Sequence, residues 1–227
     1  MYKKTDTGCP LVHCITNYVA MEFTANAILA VGARPLMSFF SDEMDDIVRK
    51  SSALLVNIGC LDYHQCDGMI SAVAAAKSHH VPWVLDPVGI QLSQPRADIC
   101  RKLINLNPPA IIKSNKEESP IISSLLSGES YADDIVLVQT GEVDVISQGN
   151  QYAEVTGGDS IMKKVTAVGC VAGGVLAAYL AKGGIPFQSA VDAMTIMSRA
   201  GEKAAVMSNG GTGTFKTLFL DELCRLS

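Results

Sequence analysis

The chain has no lysine- or arginine-rich run, no CxxC spacing, no linker-like stretch, no internal repeat and no low-complexity segment. Each absence removes a class of function. Eighteen basic residues against 23 acidic ones leave a formal charge of −5, so no surface matches a nucleic-acid backbone. No apolar run is long and uniform enough to cross a bilayer, and the opening segment MYKKTDTGCPLVHC lacks the apolar core of a signal peptide. The seven cysteines, Cys9, Cys14, Cys60, Cys66, Cys100, Cys170 and Cys224, are odd in number and scattered. That pattern argues against a disulfide framework and against a zinc site, and it fits a reducing compartment. The expectation is a cytoplasmic protein that contacts neither membrane nor nucleic acid.

The chain does have ample apolar material: 48% of its 227 residues are hydrophobic, sufficient for the core of one large domain. Residues 10 to 18 mix apolar and polar groups before a helical pattern that runs from Val19 to Gly32. Pro35 to Ser38 reads as a short strand, and Ser41-Asp42-Glu43 opens a helix reaching Ser51. The apolar run from Ala53 to Gly59 has the character of a strand buried on both faces. A helix over 65–80, a strand over 81–86, a helix over 96–105 and a strand over 110–113 follow. The strand Ile135–Gly141 precedes two β segments, 144–147 and 152–155, joined through Gly149 as an edge hairpin. Helices over 171–182 and 187–207, a glycine-rich loop at 210–214 and a closing helix over 215–226 complete the chain. Strands alternating with helices call for a mainly parallel sheet covered on both faces, and ligands of such folds sit at the carboxyl ends of the strands. Met37, Asp86, Asn115 and Glu118 all fall at that end.

The stretch Val165-Thr166-Ala167-Val168-Gly169-Cys170 runs into a helix of small residues. The N–H groups of 167 to 170 are its unpaired first-turn donors, and with the helix dipole they suit a phosphate or an oxyanion. Gly169 permits close approach, and Cys170 brings a thiol to the same point. A buried helix start with a structural cysteine fits the residues equally well. Asn17 reads first as a helix cap, with ligand contact as the alternative. His13 reads as a hydrogen-bonded core histidine.

In order and spacing, PLVHCITNYVA (10–20), PLMS (35–38), NIG (57–59), DPVG (86–89), Asn115-x-x-Glu118, Thr140-Gly141 and KVTAVGC (164–170) closely resemble the hydroxyethylthiazole kinases of thiamine salvage. The resemblance implies a ribokinase-like α/β/α sandwich of three layers with a mainly parallel central sheet, and one kinase domain over 1–227. It implies transfer of the γ-phosphoryl group of ATP, with Mg²⁺, to the hydroxyl of 4-methyl-5-(2-hydroxyethyl)thiazole, in a homotrimer that binds thiazole at a subunit boundary. By the same resemblance, Met37, Asn17 and Ala167 contact thiazole, and Lys113 and Thr140 contact ATP. Asp86, Asn115 and Glu118 organise the metal and its waters. Cys170 stands where most ribokinase-like enzymes have an aspartate base, and Gly169 belongs to the anion hole; a thiol of ordinary pKa there would orient the substrate hydroxyl, with only modest help in removing its proton.

Three departures accompany the match. Ala167 replaces a glycine, so a positive φ there would be strained. Ile90-Gln91 replaces small residues after DPVG. The region from Leu126 to Ile135 is shorter than the helical segment usual in the family. Two rivals follow: a kinase of another heteroaromatic alcohol, such as a pyrimidine or pyridoxal, and a thiazole- or nucleotide-binding protein with little turnover.

Overall fold

The computed structural model describes residues 8–227; the first seven residues of the expected domain lie outside the described residues. Eight strands form one sheet: β1 (Leu11–Ile15), β2 (Arg34–Met37), β3 (Ala53–Asn57), β4 (Trp83–Asp86), β5 (Ile111–Asn115), β6 (Val136–Thr140), β7 (Val143–Gln148) and β8 (Gln151–Thr156). Their order is β2-β1-β3-β4-β5-β6-β7-β8. Pairs from β2 through β6 are parallel, and β6-β7-β8 are antiparallel. The expected hairpin is therefore β7-β8, at one edge.

Among the described residues, eight α-helices cover the sheet: α1 (Met21–Ala30), α2 (Met44–Val48), α3 (Tyr63–His79), α4 (Gln94–Leu106), α5 (Ser119–Leu126), α6 (Val168–Ala181), α7 (Pro186–Ser208) and α8 (Thr212–Leu226). Alternate strand residues separate into two cores. Val12, Cys14, Leu55, Val84 and Ile111 pack with α1, α6, α7 and α8, whereas Ile15, Leu54, Val56, Leu85 and Ile112 pack with α2 to α5. The sheet is thus apolar on both faces, as its continuous runs imply, and the result is a three-layer α/β/α sandwich.

Several boundaries differ from the sequence reading. Leu11–Ile15 is a strand at the second position of the sheet, although polar His13 breaks its apolar run. His13 tolerates burial because its Nε2 lies 2.9 Å from the Ser38 carbonyl, which agrees with the expected core histidine. The expected helix after Ser41 is a 3₁₀ turn (Ser41–Glu43) followed by only five α-helical residues. The glycine-rich loop is mostly the first turn of α8, capped at Gly211. The short region after Leu126 holds a 3₁₀ turn at Ala132–Asp134 and leads directly into β6, so the chain closes the gap without a second helix.

The central helix α6 comes close to α1 and to the sheet at its glycine pair, Gly173 and Gly174. A Cβ on Gly174 would lie 2.5 Å from Thr24 Cγ2 of α1, and one on Gly173 would lie 3.4 Å from Asp86 Oδ2. Gly174→Ala should therefore force α1 and α6 apart and cost about 1–3 kcal/mol, the usual range for overpacking. Urea denaturation should show this loss, while Gly213→Ala, with nothing within 4 Å of its added methyl, should leave the midpoint nearly unchanged.

Candidate active site

The carboxyl ends of β1, β3, β4 and β5 meet the first turn of α6, and a chain of buried polar groups runs between them. Asp86 ends β4 with 0% exposure. Its Oδ1 accepts from Lys113 Nζ at 2.9 Å, and its Oδ2 accepts from Asn57 Nδ2 at 2.6 Å. Asn57 Oδ1 accepts from Gly59 N at 2.9 Å and from Asn17 Nδ2 at 3.1 Å. Asn17 Nδ2 also lies 3.2 Å from Cys170 Sγ, and its Oδ1 accepts from Ala20 N at 3.0 Å. Asn17 therefore closes the turn that leads into α1, whose cap position is Ala20, and also contacts the thiol.

Burial pushes the Asp86 carboxyl up, and the cation at Lys113 works against that. For Lys113, burial acts to remove the proton, but attraction to Asp86 prevails and the ammonium is held above its ordinary value. Burial, then the negative Asp86, push the Cys170 thiol up against the opposing pull of Lys113, Asn17 and Asn57. The thiol thus departs from the ordinary value expected of it: desolvation and the nearby carboxylate both disfavour its thiolate form.

The turn before α6 leaves its first N–H groups without partners in the helix, as the sequence implies. Val171 N is the first to bond within the helix, to Ala167 O at 2.9 Å, so the N–H groups of 167 to 170 are its unpaired donors. The helix starts at Val168, three residues earlier than its periodicity suggested, because Gly169 and Cys170 form its first turn. Ala167 lies at φ 71°, ψ 0°, the left-handed region in which a Cβ is strained. Lys113 Nζ would be 3.9 Å from a Cβ on Gly169, which puts the ammonium beside this turn.

On the other side of the turn opens a cavity of about 500 Å³. Asn115, Thr140, Gly141 and Asp144 form one wall, Val168 and Gly169 the base, and Met194, Met197 and the loop 157–163 the opposite wall. Asn115 and Thr140 are register partners on β5 and β6, and Thr140 Oγ1 donates to Ser114 O at 3.2 Å. The loop is anchored because Met162 packs where any side chain on Gly201 of α7 would collide with it.

Sequence reasoning did not single out Asn57 as a site residue, although NIG was part of the matched pattern. It also passed over Arg96, whose guanidinium donates to Ile58 O, Val88 O and Gly59 O at 2.7, 2.8 and 3.0 Å and ties the loops after β3 and β4 together. The loop 157–163 was missed as well; its glycine pair was the available signal. Met37 ends edge strand β2, half-buried, and does not line the cavity.

Asp86, Asn115 and Glu118 offer the hard oxygen donors that Mg²⁺ takes. Each is nevertheless engaged: Glu118 accepts from Gly89 N at 2.8 Å and Asn115 N at 3.0 Å, and Asn115 Oδ1 accepts from the N–H groups of Glu117 and Glu118. Among the described residues no group of three His, Cys, Asp or Glu side chains forms a direct metal cage. The set fits a hydrated cation held through its waters rather than by bare coordination.

Two substitutions separate these elements. Lys113→Met leaves a buried carboxylate without its cation and should lower stability by about 3–5 kcal/mol, the range for breaking one side of a buried pair. Left-handed strain is worth roughly 1–2 kcal/mol, and glycine's added unfolded freedom about 0.4–1 kcal/mol, so Ala167→Gly should raise the urea midpoint slightly. An unchanged midpoint for Lys113→Met would show that Asp86 is held as the neutral acid.

Comparison with known proteins agrees with this geometry. The model of the hydroxyethylthiazole kinase family matches residues 3–131 and 127–227, two segments that meet where the chain is short after α5. A hydroxyethylthiazole kinase of Brachyspira hyodysenteriae is 36% identical over 243 residues, covering 99% of this chain and 91% of the relative. The solved structure of a hydroxyethylthiazole kinase from Pyrococcus horikoshii superposes with a TM-score of 0.89 at 30% identity, over 95% of this chain and 88% of that one. A ribokinase-like superfamily protein from Enterococcus faecalis shares the fold, with a TM-score of 0.69 at 14% identity over 99% and 92% of the two chains. On sequence, fold and site together, the chain belongs to the hydroxyethylthiazole kinase family.

Proposed function

We propose that residues 1–227 act as one kinase domain that transfers the γ-phosphoryl group of ATP to the hydroxyl of 4-methyl-5-(2-hydroxyethyl)thiazole. The observation that carries this reading is the position of the α6 turn. On one side is a cavity lined by Asn115, Thr140 and Gly169; on the other is Cys170, held by Asn17. A nucleotide in the cavity would present its terminal phosphate to the N–H groups of 167 to 170, beside the Lys113 ammonium. Lysine serves there as a point charge without arginine's two-pronged geometry. The reaction has a loose transition state, so alignment and charge neutralisation outweigh base strength. A protonated Cys170 suits that demand by orienting the alcohol. Asp86, Asn115 and Glu118 would hold Mg²⁺ through its waters, where it would neutralise phosphate charge.

Met37 and an exposed apolar rim lie at the carboxyl ends of β1, β2 and β3. Tyr18, Val19, Phe40 and Tyr63 are 55%, 67%, 60% and 90% exposed, and Tyr18 meets Phe39 edge-on. A rim of this kind supports a thiazole site completed by a second copy of the chain, within a homotrimer. The seven free thiols support a reducing, cytoplasmic setting.

The test is phosphorylation of the thiazole alcohol by the purified chain with ATP and Mg²⁺, beside pyridoxal and a hydroxymethylpyrimidine as competitors. Preference for the thiazole by kcat/KM is expected; preference for either competitor would reassign the substrate. Tight thiazole binding without turnover, relieved by Ala167→Gly, would show a binding protein impaired at its strained turn. Cys170→Ala should lower kcat by about tenfold or more through lost alignment, with a smaller change in thiazole affinity; equal losses would make Cys170 a binding residue. Sedimentation should show three chains per particle, and a monomer would contradict the shared site.

A further inference from the structure

One buried group at the centre of the polar chain has no assigned role. Asn57 ends β3 after the apolar run Ala53 to Val56, is wholly buried, and is the register partner of Asp86 on β4. An apolar residue would continue that strand without requiring hydrogen-bond partners. Asn57 instead satisfies its amide entirely within the site.

The sense of each bond is fixed by backbone groups at two points. Gly59 N can only donate, so the atom of Asn57 that faces it at 2.9 Å is the oxygen, and the NH₂ group must face Asp86. Likewise Ala20 N can only donate, so Asn17 turns its oxygen there and its NH₂ toward Asn57 Oδ1 and Cys170 Sγ. The Cys170 sulfur is therefore an acceptor from Asn17, and its S–H points elsewhere. No member of the series can reverse without setting two donors or two acceptors against each other. The backbone makes room for the arrangement at Gly59, where a Cβ would lie 2.8 Å from Asn17 Nδ2 and 2.9 Å from Asn57 Oδ1. The charged groups around it are Asp86, Lys113 and Glu118, the last acting on both members of the ion pair.

We propose that Asn57 is a positioning residue for phosphoryl transfer: directly and through Asn17 it fixes the side-chain orientation and hydrogen-bond sense of Cys170, and it locks that orientation to the buried Asp86–Lys113 pair. The inference rests on the kinase reading above. It gives the phosphate-facing cation and the alcohol-facing thiol a common frame, so that they cannot drift independently. Asn57 itself touches neither substrate.

The experiment is a double-mutant cycle on the full chain, with Asn57→Ser, Cys170→Ala and the pair, read as kcat for thiazole phosphorylation, KM for ATP and melting temperature. If Asn57 acts through Cys170, its effect must shrink once the thiol is gone. Asn57→Ser should lower kcat by about tenfold in the presence of Cys170 and by less than about twofold in its absence, with the KM for ATP nearly constant. Losses that multiply in the double variant would overturn the proposal, as would a kcat for Asn57→Ser within twofold of the parent. If Asn57→Ser does not fold, Gly59→Ala carries the same test, since its methyl displaces the two amides while leaving both in the chain; an unchanged kcat there would overturn it. A parent chain without thiazole turnover would overturn the kinase reading and this inference together, whereas an active parent with indifferent variants would overturn this inference alone.

Discussion

A carboxyl group fully buried at the end of β4 is the constraint on which the site depends. Asp86 is taken out of solvent by α6, whose Gly173 allows the helix to press against it, and burial alone would drive it to the neutral acid. Lys113 answers with a full charge and Asn57 with an oriented amide. Those two partners come from the strands on either side of β4, so the parallel register of β3, β4 and β5 is what brings them within reach. The electrostatics of the site and the topology of the sheet are thus one requirement.

The same arrangement explains why a cysteine is workable at the head of α6. Its thiol is desolvated and lies near a carboxylate, which disfavours the thiolate, while on the proposed function the helix turn and the neighbouring Lys113 would receive the negative charge of a phosphate. Ala167 is the point of tension, because its left-handed backbone sets the direction of the first-turn N–H groups while carrying a side chain that opposes that conformation.

Much of this was legible before any coordinates. Continuous apolar runs such as Ala53 to Val56 fixed the two-sided burial of the sheet, and the glycine-flanked turn at 167 to 170 was recognisable from its position before a small-residue helix. The first strand was not, since His13 interrupts its apolar character and only the Ser38 carbonyl, brought by another strand, makes its burial tolerable. Helix boundaries failed where caps were unusual: Gly169 and Cys170 read as turn but belong to α6, and residues 212 to 214 read as loop but open α8. Asn57 was visible as part of a motif, but its task depends on Asp86, Asn17 and Gly59 meeting across strands. Local pattern carries no such information. Met37 is the converse, a residue assigned by resemblance whose proposed ligand the isolated chain does not enclose.

On the proposed function, nucleotide and alcohol would meet at the first turn of α6. The most direct test is a crystal structure with a non-hydrolysable ATP analogue and the thiazole alcohol bound together. The terminal phosphate is expected on the N–H groups of 167 to 170 beside Lys113, with the thiazole hydroxyl next to Cys170 and in line with the bond to be broken. A terminal phosphate elsewhere, or a hydroxyl remote from Cys170, would contradict the account.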